Sequence, residues 1–409
     1  MPDASTRTRF RIDDPDGGEA FAACQRLAEA LLPPPRLRAL LERAQDSPLV
    51  ALRGIPVSEL RGPALGLTEK QVARLTEAAA ASLPPRFAER ALASRVTVLT
   101  FQDPAYPTAL LPLSDSPPML FVRGELLPDD RFAFAIVGSR RATAYGREQA
   151  ERFARAFAES GLAVVSGGAA GIDTAAHHGA LTAGGRTISV LGCGVDIAYP
   201  AENRALFDRI ASGGGAVISE FGLGTRPEPW RFPTRNRIIA GMARATVLIE
   251  TPENSGALGT ARNAADYGRD VWAVPGPVDT GRSRGGHQLL QDGALLADRP
   301  EDILNALGLA VGKTAELRPT PPRPDPSEPL QTPPATPDAA PATRESAPLP
   351  PLSDEEARLL PHFDLSARLL DEAAGLAGLS ASQATVAATL LEMKGLVRRQ
   401  PGNLFVRAL

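Results

Sequence analysis

FAFAIVGSRRATAYGREQAERFARAFAESGLAVVSGGAAGIDTAAHH, residues Phe132 to His178, carries the pattern of a strand, a helix and a second strand. Ala133–Val137 is wholly apolar and of strand length, the pattern of a strand covered on both faces. Gly138-Ser139-Arg140-Arg141 interrupts it. From Gly146 to Ser160 the apolar residues Ala150, Phe153, Ala154, Phe157 and Ala158 recur at helical spacing. Arg147, Glu151, Arg152 and Arg155 take the other side. Gly161 follows as a C-terminal stop. Leu162–Val165 is a second apolar strand, closed by Ser166-Gly167-Gly168. Strand, helix, strand at this spacing predicts a parallel pair joined by a right-handed crossover.

Both glycine-containing loops then leave the carboxyl ends of adjacent strands, where doubly wound sheets bind ligands. Glycine lets backbone N–H groups approach an anion, and arginine adds a planar fork matched to phosphate. The first loop has neither G-x-G-x-x-G nor P-loop spacing, so the dinucleotide fingerprint is missing. A glycine turn after a strand can also serve chain geometry alone, and Arg141 can be a solvated charge. Two such loops side by side, one carrying Arg140, point to a phosphate site.

The same alternation continues outward. Val96–Phe101 predicts a strand before this unit, and Tyr106-Pro107 and Pro117–Phe121 lead into a second. Thr187–Leu191, Ala216–Glu220, Thr246–Glu250 and Val271–Val274 predict strands after it, with a short one at Ala294–Ala297. Helical patterns separate them, over Ser255–Gly268 and Gly285–Asp292 among others. The region from about 96 to 310 therefore reads as a doubly wound α/β sheet. One helix start stands out: Phe232-Pro233-Thr234-Arg235-Asn236-Arg237. Pro233 suits an early helical position, which puts Arg235, Asn236 and Arg237 in the first turns. Two arginines there oppose the helix dipole unless an anion is bound. Cys193, between Gly192 and Gly194, has no basic neighbour and reads as a packing thiol.

The flanks differ in character. Residues 1–18 are polar and expected to be loose. Residues 19–92 are helical, with Ala20–Leu32, Pro35–Ala44 and a helix from Glu69 that Thr68 can cap. The Leu52-Arg53-Gly54-Ile55-Pro56 turn gives this segment a helix-hairpin-helix or SAM-like pattern. Such a module can hold a DNA phosphate through backbone N–H groups or serve packing only. The sheet domain occupies 93–312. Residues 313–351 hold 13 of the 39 prolines and predict an extended, disordered linker. In 352–409, helices at Asp354–Leu360, Ala367–Ala374 and Ala381–Lys394 precede a hairpin, the winged-helix pattern. The third helix carries only Lys394 as a cation, so protein contact is as open to it as DNA contact.

Net charge is −3 over 409 residues, which excludes a protein held on DNA by a bulk basic field and leaves room for a local patch. Two cysteines suit a reducing compartment. With no signal peptide and no membrane-spanning run, the expected location is the cytoplasm. No metal-ligand cluster and no cofactor motif occurs, so no cofactor is expected.

GSRRATAYG, SGGAAGIDTAAHHGAL, TISVLGCGVDIAYPAEN, FPTRNRIIAG, SGALGTARNAADYGR and AVPGPV follow one another in this order. Together they resemble the DNA-processing protein A family (DprA, also called Smf). The resemblance implies an extended Rossmann-like domain between a SAM-like helical module and a winged helix. It implies a non-enzymatic protein of natural transformation that binds and protects single-stranded DNA and helps load the RecA recombinase onto it, as a homodimer. Carried over by position, the DNA-binding residues are Gly138, Ser139, Arg140 and Arg141 of the first loop, Ser166, Gly167 and Gly168 of the second, and Arg235, Asn236 and Arg237. The chain departs from the family at Ala170, where many members have a cation; the resemblance then implies either one phosphate contact fewer and lower affinity, or a substitute such as Arg141. Asp173 and His177 belong to the motif and read as structural partners. The rival is a phosphoribohydrolase of the LOG type, which cleaves nucleoside monophosphates with a glutamate after a Gly-Thr pair. Here Gly259-Thr260 is followed by Ala261 and Arg262, and no acid stands at that spacing.

Overall fold

A computed structural model gives the fold and describes residues 9–14, 17–308, 352–363, 368–394, 396–400 and 404–407. They form two compact units that divide near residue 322. The linker expected over 313–351 lies outside the described residues.

The first unit opens with strand β1 (Arg9–Arg11) and helices α1 (Gly18–Glu29), α2 (Pro34–Arg43), α3 (Val57–Leu60), α4 (Glu69–Ala80) and α5 (Phe87–Ala93). It continues through β2 (Val96–Thr100), β3 (Met119–Gly124), β4 (Ala133–Gly138), α6 (Ala144–Glu159), β5 (Val164–Ser166), α7 (Ile172–Thr182) and β6 (Thr187–Val190). Then come α8 (Arg204–Ser212), β7 (Ala216–Ser219), α9 (Arg231–Met242), β8 (Ala243–Ile249) and α10 (Ala257–Asp266). The unit ends with β9 (Asp270–Ala273), α11 (Arg284–Gln291), β10 (Leu295–Leu296) and α12 (Pro300–Ala306).

These strands make one sheet of ten, ordered β1-β2-β3-β7-β6-β5-β4-β8-β9-β10. From β7 to β10 all neighbours are parallel, and β1, β2 and β3 add an antiparallel extension. Strand β4 pairs with β5 on one side and β8 on the other. The chain therefore winds away from β4 in both directions, which opens a crevice at the carboxyl ends of β4 and β8. The expectation that residues 1–18 are loose fails over Arg9–Arg11. Phe10 is buried in the core, and this anchors the segment as a strand on β2.

Alternation along β4 assigns its two faces. Phe134 and Ile136 join Phe153 and Phe157 of α6 in one cluster, and the Phe134 and Phe157 rings stack at 4.8 Å. Burying a side chain of this size contributes about 1.5–3 kcal/mol. Ala133, Ala135 and Val137 face the other cluster, which also takes in Phe21, Leu27 and Leu40 of the N-terminal helices. The boundary near residue 92 is thus a change of secondary structure inside one packed body. Thr68 caps α4 as its sequence predicts, through a reciprocal pair with Gln71. The expected glycine turn is instead one wide helical turn over Val50–Gly54, with Arg53 donating to the Ala79 carbonyl at 2.8 Å.

The second unit comprises α13 (Asp354–Leu359), β11 (Arg368–Leu369), α14 (Leu370–Ala377), α15 (Ala381–Met393), β12 (Val397–Gln400) and β13 (Leu404–Arg407). Its strands pair antiparallel in the order β11-β13-β12, the winged-helix arrangement. The helix expected over Ala367–Ala374 begins only at Leu370, because Arg368 and Leu369 pair with β13. Lys394, the one cation at the end of α15, forms an ion pair at 2.6 Å with the buried Glu356 of α13. Among the described residues no helix is long and apolar enough to cross a membrane, and no group of His, Cys, Asp and Glu is arranged to hold a metal.

Candidate functional site

A cleft of about 710 Å³ opens at the carboxyl ends of β4 and β8. Gly138 ends β4 hard against β8. A Cβ there would lie 1.9 Å from the Ile249 carbonyl oxygen, so only glycine fits. The loop that follows is fixed at both ends. The Ser139 carbonyl accepts from the Ile172 N–H at 3.1 Å, and Gly171, at φ +85°, leaves room for that approach. Thr143 caps α6, its hydroxyl accepting from the Gly146 N–H at 3.2 Å. The carboxylate of Glu250, buried at the end of β8, accepts from the Thr143 N–H at 2.7 Å and from its hydroxyl. Between these anchors the loop presents Arg140 and Arg141 to solvent. The Arg140 guanidinium lies 5.1 Å above the Phe232 ring, which in turn meets the Tyr199 ring at 5.4 Å.

The second loop serves the protein itself. The Ser166 hydroxyl donates to the Ile136 carbonyl at 2.6 Å, and the Gly168 carbonyl accepts from Asn203 Nδ2 at 2.9 Å. The N–H groups of Ala169 and Gly167 go to the Asp173 carboxylate. One of the donors expected to cradle a phosphate, the Gly167 N–H, thus already faces an internal anion. Opposite Asp173 stands Arg235, whose Nη1 donates to the carbonyls of Gly167, at 2.6 Å, and Val190. Both groups are buried. Burial pulls the Arg235 guanidinium down to about 10, and Asp173 opposes the shift. Burial pushes the Asp173 carboxyl up, against the charges of Arg235 and Arg140. A Cβ on Gly167 would fall 2.6 Å from Asp173 Oδ2 and 2.7 Å from both terminal nitrogens of Arg235, so this glycine makes their approach possible.

Six of the ten residues expected at the site line the cleft: Gly138, Ser139, Arg140, Arg141, Arg235 and Asn236. Asn236 Nδ2 also donates to the Gly256 carbonyl at 3.1 Å, tying α9 to the start of α10. Ser166, Gly167 and Gly168 are buried and do not line it. Arg237 is not brought to the cleft. Helix α9 starts at Arg231, so Arg235 and Arg237 fall in its second turn rather than at its tip. Arg237 Nη2 donates at 2.5 Å to the partly buried Glu220, and Asp115 lies 4.0 Å from its Nε.

The other motif residues are structural. His177 Nδ1 lies 2.7 Å from Thr187 Oγ1, whose own proton goes to the Val164 carbonyl, which puts the imidazole proton on Nδ1. Burial holds this histidine down to about 3. Cys193 is buried, its Sγ 3.4 Å from the Ile197 carbonyl, and burial pushes the thiol up to about 12.

The family profile described as "DNA recombination-mediator protein A" matches residues 97–308, and a profile for a DprA winged helix domain matches 319–403. The chain belongs to the DNA recombination-mediator protein A family. It is 34% identical to Protein Smf of Synechocystis sp. over 334 residues, covering 79% of this chain and 83% of that protein. It is 43% identical to DNA processing protein DprA of Streptococcus pneumoniae over 205 residues, 49% of this chain and 71% of that protein. The X-ray structure of the pneumococcal protein superposes with a TM-score of 0.58 and 34% identity, covering 68% of this chain and 95% of that one.

Sequence reasoning missed Arg282, Phe232 and Tyr199 as lining residues. Phe232 and Tyr199 sit inside the quoted motifs and carried a signal in their aromatic character beside prolines. Arg282 lies far from Arg140 in the chain, and only the pairing of β9 with β8 brings its loop to the cleft.

Proposed function

We propose that the cleft binds single-stranded DNA, with phosphates at its arginines and bases against its aromatic side chains. The observation that carries this reading is charge. Four arginines line the cleft (Arg140, Arg141, Arg235, Arg282) and Asp173 is the one acid, a local excess of three positive charges on a chain of net charge −3. A cleft of one sign with low-dielectric walls focuses field and gathers polyanions. Phe232, under Arg140 and beside Tyr199, adds rings on which an unstacked base can lie. A rigid duplex keeps its bases stacked and paired, so a narrow cleft of this kind favours flexible single strands.

In this reading the protein is a cytoplasmic, non-enzymatic mediator. It protects incoming strands in natural transformation and helps load the RecA recombinase, as a homodimer. The cleft carboxylate Asp173 is committed to two backbone N–H groups and faces Arg235, which suits a fixed counter-ion better than a proton donor. Anisotropy titrations with labelled oligothymidylate and a matched duplex, across a salt series, test the reading. Single-strand preference with a salt slope that falls in the Arg140→Ala variant is expected. Equal affinity for both forms, or release of free base from a nucleoside monophosphate, overturns it.

A further inference from the structure

The loop between β9 and α11 reaches back over the cleft and ends in Arg282. Its base is built to hold one shape. Tyr145 donates its hydroxyl proton to the Pro275 carbonyl at 2.8 Å, and Gly276 packs so closely on the buried Ser283 that a Cβ would lie 2.2 Å from its Oγ. At the far end, Arg282 Nη1 donates to the carbonyl of Arg141 at 3.2 Å. One loop's arginine therefore clasps the backbone of the other arginine-bearing loop.

That contact uses one of the five N–H donors of a guanidinium. Arg282 is exposed, lines the cleft, and forms no ion pair among the described residues. Arg140 and Arg141, on the loop it touches, form none either. Three unneutralised guanidinium groups converging on one opening repel one another, a local conflict of the kind found at sites whose ligand supplies the missing charge. The two loops leave different strands, β4 and β9, so Arg140 and Arg282 reach the cleft from different parts of the sheet.

We propose that Arg282 is a second phosphate-binding residue of the cleft, contacting a phosphodiester of the strand that Arg140 also holds. This rests on the cleft binding single-stranded DNA. The alternative role for Arg282 is a clasp that only fixes the Arg141 loop. Arg282→Gln separates the two, because glutamine keeps an N–H donor for the Arg141 carbonyl and loses the charge. Arg282→Lys keeps the charge.

The test is anisotropy titration of the full chain with labelled oligothymidylate across a salt series, with thermal melts of each variant. Arg282→Gln is expected to weaken binding about tenfold, the lower end for a hydrogen bond to a charged group. Its salt slope should fall by roughly 0.7, the share of one phosphate contact on a single strand. Its melting temperature should not move, and Arg282→Lys should recover the parental slope. If Arg282→Gln keeps parental affinity and slope while Arg140→Ala loses both, the binding reading stands and Arg282 is removed from it. A lower melting temperature with a parental slope makes Arg282 a clasp and likewise overturns the proposal. If Arg140→Ala and Arg282→Gln both bind as the parent does, the cleft is not the DNA site, and the reading beneath the proposal fails.

Discussion

Replacing Arg237 by alanine should destabilise the sheet unit and leave DNA binding intact. The sequence pattern placed this arginine at the site, where its removal would weaken binding and relieve repulsion. The structure reverses both signs. Arg237 is buried and donates to Glu220 at 2.5 Å, and Glu220, with its side chain 14% exposed, has no hydrogen-bond partner on its second oxygen among the described residues. Alanine would leave that carboxylate buried without its counter-charge, which costs about 3–5 kcal/mol for pairs of this kind. Burial already pushes the Glu220 carboxyl up, with Arg237 holding it down. In the variant it should rise further. The loss of stability should then be greatest at alkaline pH and shrink as pH falls and Glu220 takes a proton. Urea unfolding of both proteins between pH 5 and pH 9 reads this directly, as a lower midpoint at constant slope. The Arg237→Ala/Glu220→Gln double variant should lose less than the sum of the single changes, because the two residues touch. A variant with parental urea midpoint and weakened oligonucleotide binding would refute the reasoning and return Arg237 to the cleft.

Arg140→Ala should weaken single-strand binding by about 1–3 kcal/mol with little change in melting temperature, since Arg140 is exposed and its side chain lies over the Phe232 ring with no ion pair among the described residues; titration and melts on the same sample check it. Gly167→Ala drives a methyl into Asp173 and Arg235, and should cost about 1–3 kcal/mol of stability together with binding; urea unfolding measures the first and anisotropy the second. His177 is held near 3 in the fold against 6.5 outside it, so the unfolded chain binds more protons between those values and stability falls as pH drops below 6.5. The slope from this one group approaches at most about 1.4 kcal/mol per pH unit, and His177→Gln should flatten it. Asp173 and Glu220, raised from 3.8 and 4.5, act in the opposite sense as pH rises above those values. Phe157→Ala, which empties the stack on Phe134, should cost about 3–5 kcal/mol without touching the cleft.

The parallel sheet was legible because its central strands are apolar runs, with β4, β5 and β6 each closed by a glycine within two residues, and the helix between β4 and β5 repeats alanine and phenylalanine at helical spacing. The first loop was legible for the same reason, since Gly138 and Arg140 follow directly on a strand end. Three things were hidden. Arg9–Arg11 carries a single apolar residue, too little pattern to mark a strand without its partner β2. The direction of Arg237 depends on where α9 begins, and the helix starts two residues before Pro233. The glycines of the second loop looked like a phosphate cradle, yet the N–H groups of Gly167 and Ala169 were already spoken for by Asp173, four residues after Ala169. Side-chain competition for a backbone donor leaves no trace in spacing.

The ten-stranded sheet begins and ends on very short strands, three residues in β1 and two in β10. A row of unpaired N–H and C=O groups invites another chain to add itself, and brief outer strands give such a chain little to grip. Arg9 and Arg11 place charges on that border, and Arg9 is held to Asp103 at 3.2 Å. Clipping the protein after residue 11 would hand the border to Val96–Thr100, a five-residue strand of valine, leucine and threonine with no charge of its own. A preparation trimmed there should self-associate on storage, although nothing at the cleft has been altered.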